Sequence, residues 1–162
     1  MEQDQNNNNS FFRFEDLRVY HKALDYIDWV INSCALFPET GGDIARRFSR
    51  AANNIALYIA EGSSRNKSQF VYYLKLAKSA VRECVVITSI AEKQGLLTET
   101  LVDESRNELM ELTKMLGALI GSLQRSNNGK NRTGRQKNNY DQEDEIDEFE
   151  TQLLPDETIG MR

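Results

Sequence analysis

Apolar residues along the chain recur at alternating intervals of three and four, and the intervals organise into four stripes. The first is Leu17, Tyr20, Leu24, Ile27, Ile31 and Cys34. The second is Ile44, Phe48, Ala51, Ala52, Ile55 and Ile59. The third runs Phe70, Leu74, Ala77, Val81, Cys84, Thr88, Ala91, flanked by Tyr73, Leu76, Ala80, Ile87 and Ile90. The fourth is Val102, Ser105, Leu109, Leu112, Leu116, Leu119 and Leu123. This spacing keeps one face of a helix apolar. No stretch alternates apolar and polar residues between hairpin turns, so strands are not expected.

Punctuation falls between the stripes. Asp16 is placed to cap the first helix, and Pro38 prevents its continuation. Thr40-Gly-Gly-Asp43 has capping-box character for the second helix. Gly62 stands where a left-handed residue would end that helix, and Asn66-x-x-Gln69 reads as a capping box for the third. A phosphate cradle would need more glycines and a preceding strand, so the polar stretch after Gly62 reads as an interhelical turn. The third helix, over residues 67–94, would span roughly 40 Å. Gly95 ends it, and Thr98 caps the fourth. Short connections make consecutive helices antiparallel neighbours. The expected fold is all-α: an antiparallel up-down-up-down four-helix bundle over residues 11–125. It is framed by a flexible start (1–10), a basic linker (126–139) and a disordered or partly helical acidic tail (140–162).

Charge sharpens that division. The chain of 162 residues has a net charge of −5. Residues 11–126 carry net +1, residues 127–137 net +4, and residues 138–162 net −8. The acidity belongs to the tail. No apolar run reaches membrane-spanning length, and the first residues lack the pattern of a secretory signal. Cys34 and Cys84 sit on apolar stripes and read as reduced core residues. A cytoplasmic location without membrane contact is expected.

Several segments together resemble the bacterial four-helix bundle family of proteins encoded in intervening sequences of 23S rRNA genes. They are "FEDLRVYHKA" (14–23), "FP" (37–38), "RAANNIALYIAEGSSR" (50–65) and "FVYYLKLAKSAVREC" (70–84). The resemblance spans residues 11–123. It implies a four-helix subunit assembling into a homo-oligomeric ring, typically a pentamer, with a nucleic-acid- or ribosome-associated role and no enzymatic activity. More distant relatives are the accessory variability proteins of diversity-generating retroelements, in which a basic pentamer binds nucleic acid and a polymerase. Residues 40–43 depart from the family's usual helix start, and the residues beyond 125 have no counterpart in it.

Candidate chemistry is sparse. His21 is the only histidine, and Arg18 stands three residues before it, where a bundle metal site would place a carboxylate. Neither cysteine has a histidine partner at readable spacing. No catalytic residue, metal or cofactor is expected. The basic residues form the candidate site. Arg46 and Arg50 share a helix face with Asn53, while Arg47 aligns with Asn54 and Tyr58. Arg65 and Lys67 occupy the turn, and Lys75, Lys78 and Arg82 follow at one-turn spacing. Lys130, Arg132, Arg135 and Lys137 extend the set into the linker. These positions suit a phosphate-contacting surface for RNA or DNA. The alternative is a solvated face paired with neighbouring acids. In the tail, Ile146, Phe149 and Leu153 follow a three-then-four spacing, which suits a short helix docking on a protein partner or folding back over the basic surface. Apolar flanks around Tyr72, Tyr73, Leu76 and Ile87 are expected at a subunit interface.

Overall fold

The computed structural model describes residues 11–128. The linker cations Lys130, Arg132, Arg135 and Lys137 and the acidic tail lie outside the described residues, as do residues 1–10. Four helices carry the fold: α1 (Arg18–Cys34), α2 (Gly42–Ser63), α3 (Lys67–Lys93) and α4 (Glu99–Asn128). Single 3₁₀ turns, Arg13–Asp16 and Glu39–Gly41, precede α1 and α2, and no strand occurs among the described residues. Each helix packs on its neighbours in sequence and α1 closes against α4. That is the four-helix bundle expected from the stripes.

The stripes of α2, α3 and α4 supply the core. Phe48, Ile55, Ile59, Leu74, Leu109, Leu112 and Leu116 are fully buried. The first helix is the exception. Its buried face is Val19, Ala23, Tyr26, Val30 and Ser33, not the expected stripe. Leu24 and Ile31 of the expected stripe are 40% and 53% exposed, and Leu17, Tyr20, Ile27 and Cys34 lie at the core's margin. α1 is apolar on two adjoining faces with the same periodicity. The opposite wall decides between them: Thr88 and Ser105 are buried there, and Tyr26 supplies the hydrogen bond they need.

Two of the expected caps do not form. Leu17, not Asp16, is the N-cap of α1, and Gly41 is the N-cap of α2; neither position has a side-chain cap bond. The preceding 3₁₀ turns already feed the chain into each helix. The Asn66 cap does form, with its side chain accepting from the Gln69 N–H at 3.0 Å. Thr98 Oγ1 accepts from Leu101 N–H at 3.4 Å.

Gly62 is helical, and Gly95 (φ 68°) is the positive-φ glycine among the described residues. At Gly95 the bonds Leu96 N–H to Ala91 C=O (2.8 Å) and Gly95 N–H to Glu92 C=O (2.9 Å) form the left-handed helix stop. Gly62 serves packing instead. A Cβ there would lie 2.6 Å from Tyr73 Cβ and 2.8 Å from Phe70 Cδ2. The missing side chain lets α3 approach α2 at the turn. Of the flank expected between subunits, Ile87 is buried within its own bundle, Tyr73 and Leu76 are half-buried, and Tyr72 is exposed.

Candidate nucleic-acid interface

The α2 arginines form a ridge. Arg46, Arg47 and Arg50 are exposed on α2; Arg46 and Arg50 stand opposite Phe48 and Ile55, and Arg47 borders the groove to α3. With Asp43 and Glu83 they line a shallow depression of about 450 Å³. Asp43 and Arg46 pair one turn apart. The depression continues between α2 and α3 over Ile44, Val86, Ile87 and Ile90, sharing Asp43, Arg47 and Glu83. On the other side of the ridge a second concavity of about 550 Å³ runs along α2 past Ser49, Asn53 and Asn54 to Leu57. A guanidinium row with amides beside it can donate in parallel to phosphate oxygens.

The α3 cations do not extend that ridge. Ser89 lies seven residues after Arg82 and eleven after Lys78, hence on the same helix face. It accepts from Arg106 of α4 at 3.0 Å. Lys67, eleven residues before Lys78, donates to Ser126 of α4. Lys67 and Lys78 are therefore turned toward α4, while Lys75 and Arg82 lie on the outer face of α3 between that side and Val86. The fold splits the expected single surface into two rows.

At the α2–α3 turn the structure adds what the basic residues alone did not indicate. Tyr58 and Tyr73 approach with ring centroids 6.4 Å apart, and Tyr72 meets Tyr73 edge-on at 5.8 Å. Arg65 pairs with Glu61 and lies 5.9 Å from the centre of the Tyr73 ring. The bond to Glu61 holds the guanidinium above its ordinary pKa. The signal was present as tyrosines on both sides of Gly62, at positions that an antiparallel pair brings to one level.

The α1–α4 side has the opposite chemistry. Asp25, Asp28, Asn32 and Glu104 surround Trp29 in a depression of about 400 Å³ with no basic residue in its lining. Trp29 Nε1–H donates to Glu104 at 3.0 Å, and Lys22 bridges Glu108 and Glu111 at 2.7 Å each. The near-zero charge of the bundle thus conceals an acidic wall between α1 and α4 and an arginine ridge on α2.

His21 is exposed and donates through Nε2 to the Glu15 carbonyl. Burial pushes the Cys34 thiol up to about 11 and the Cys84 thiol up to about 12, away from thiolate chemistry at neutral pH. Among the described residues no three His, Cys, Asp or Glu side chains gather as a metal set. None of the described helices is long and apolar enough to cross a membrane.

Fold and surface together define an antiparallel helical bundle with a basic ridge on one side and an acidic wall on the other. The chain belongs to the 23S rRNA-intervening sequence protein family, whose model matches residues 15–118. Among solved structures it is similar to a protein of unknown function from the S23 ribosomal protein family of Bacteroides thetaiotaomicron. The TM-score is 0.59 at 17% identity, over 64% of this chain and 95% of that one. At that identity the likeness is one of fold. No curated protein matches the chain. Neither description states an enzymatic activity.

Proposed function

We propose that the protein is a non-enzymatic, oligomeric four-helix scaffold that binds nucleic acid in a ribosome- or RNA-linked setting in the cytoplasm. The observation that carries this reading is the arginine ridge Arg46, Arg47, Arg50, exposed at one-turn spacing beside Asn53 and Asn54. The family's description, which refers to 23S rRNA, points the same way. Oligomerisation is supported by two separate exposed apolar sets: Leu24 and Ile31 on α1, Val86 and Ile90 on α3. Two unlike faces suit a head-to-tail contact, which closes into a ring such as the pentamer implied by the resemblance.

Fluorescence anisotropy with RNA across a salt series tests the binding. Affinity should fall steeply with salt, because each phosphate contact releases counterions. Light scattering tests the assembly, and a monomer at working concentrations would remove it. A second reading, a protein adaptor recruiting its partner through residues 140–162, rests on the spacing of Ile146, Phe149 and Leu153 among acids. Partners retained from nuclease-treated lysate would favour that adaptor; partners lost on nuclease treatment favour nucleic acid.

A further inference from the structure

We infer that the nucleic acid is held as an unstacked single strand, with bases placed on the tyrosine cluster at the α2–α3 turn. The inference rests on the nucleic-acid reading above and specifies the ligand class and the subsite. Tyr72 is 60% exposed and Leu57, beside Tyr58 on α2, is 61% exposed. Solvated apolar surface of this kind is costly unless something covers it.

Charge selects the occupant. Arg65 lies against Tyr73, and Lys67 reaches Ser126, which brings the end of α4, with Arg125 in its last turn, to the same end of the bundle. Glu61 is the acid beside the cluster, and it is engaged by Arg65. The surface pair holds little energy, so a phosphate can take the guanidinium over. A surface joining aromatic rings to cations fits bases and phosphates together.

The cluster is fixed in place. Gly62 allows Tyr73 to sit against α2, and the rings of Tyr58 and Tyr72 each neighbour that of Tyr73. A held ring loses little freedom when a base stacks on it. From Leu57 the concavity along α2 leads past Asn54 and Asn53 to Arg50 and Arg46. Tyr58 and Arg50 are eight residues apart, about 12 Å along the helix. A strand stacked on the tyrosines that turns over Leu57 would meet the amides and then the arginines of α2. A duplex could use the cations but not the rings, since its bases are already stacked and the A-form major groove is closed to side chains.

The test uses the full-length protein and two labelled ligands: a mixed-sequence single-stranded RNA of about 16 nucleotides and a hairpin duplex of matched composition. Wild type should prefer the single strand. Tyr72→Ala and Tyr72→Leu should weaken single-strand binding roughly ten- to a hundredfold, with duplex binding unchanged, and Tyr72→Phe should retain it because the ring remains. Light scattering should give the same particle mass for all variants. Equal affinity for strand and duplex, insensitive to Tyr72→Ala, would overturn the inference and leave a purely ionic surface. A change in particle mass on Tyr72→Ala would assign the tyrosine to a second copy of the chain. Binding of neither ligand at low salt would remove the nucleic-acid reading itself.

Discussion

Tyr26 on α1 and Ser105 on α4 are joined at 2.9 Å in the centre of the core, and their bond has a fixed direction. Thr88 donates to the Cys84 carbonyl at 2.8 Å, and a carbonyl can only accept. Thr88 Oγ1 must then accept from Ser105 at 2.8 Å, which leaves Ser105 to accept from the Tyr26 hydroxyl. The chain runs from Tyr26 to Ser105 to Thr88 to the Cys84 carbonyl, tying α1, α4 and α3 together. Ser105→Ala removes the hydroxyl to which buried Tyr26 donates at 2.9 Å and should cost about 1–3 kcal/mol. Adding Tyr26→Phe removes the donor as well, so the double variant should be less destabilised than the two single costs sum to. Urea denaturation of the four proteins measures the coupling; strict additivity would show that the hydroxyls act independently.

Gly62 and Gly117 make opposite predictions from the same substitution. Gly62→Ala drives a Cβ into Tyr73 and Phe70 and should destabilise by about 1–3 kcal/mol. Gly117 sits within α4 with open space where its Cβ would be, so Gly117→Ala should stabilise by about 0.5–1 kcal/mol. Leu74→Ala, in the fully buried stripe of α3, sets the scale for a core loss at about 2–5 kcal/mol. Thermal melts in which Gly62→Ala or Leu74→Ala is as stable as wild type, or Gly117→Ala is less stable, would contradict the packing described.

Much of this was legible in the sequence. Leu74, Val81, Leu109 and Leu112 were placed correctly because each stands on the single apolar face of its helix. α1 was not, since two of its faces have the same period and only the partners across the core select one. Gly62 shows a similar limit. Its position at the end of an apolar run fits a left-handed stop or a close approach equally well, and the approach of Tyr73 is a tertiary fact. The cations were all legible as residues but not as surfaces. Arg47 on α2 and Lys78 on α3 fall in different rows because helix rotation depends on which stripe is buried. The hydroxyl chain was invisible as well: Thr88 and Ser105 were on the core stripes, but Tyr26 was not.

Alkaline pH should loosen the fold. Burial raises the Cys34 and Cys84 thiols to about 11 and about 12, and bonds to Glu108 and Glu111 raise Lys22. In each case the unfolded chain loses its proton first. Their contribution is therefore complete below the ordinary thiol range, about pH 8–9, and is lost as pH climbs through the folded values. Urea midpoints should be flat from these groups near neutrality and fall above about pH 9. In parallel, alkylation of Cys34 at pH 8 should run about a hundredfold slower than for an ordinary thiol, since the thiolate fraction drops tenfold per pKa unit. Rapid modification of the native protein at pH 8 would show that Cys34 is not held in the packed margin of α1.

Charge placement gives the remaining test. Removing the residues after Lys137 takes away net −8 and leaves the basic stretch intact. RNA affinity should rise, because an acidic segment tethered to the bundle repels phosphate or competes for the same cations. Truncation after Asn128 keeps the whole of α4, including the Ser126 contact with Lys67, and removes Lys130, Arg132, Arg135 and Lys137. If those cations touch the strand, affinity should fall again and the salt slope should shrink. Charge reversal at Arg46 and Arg50 acts on the ridge alone. Both side chains are exposed, so Arg46→Glu with Arg50→Glu should leave helicity unchanged. The loss of two phosphate contacts should reduce the slope of log affinity against log salt by about 1.4 for a single strand. An unchanged slope in the reversal variant, with binding intact, would move the footprint off α2 and onto the Lys75, Lys78, Arg82 row. Reversal at Lys78 and Arg82 would then produce the slope change in its place.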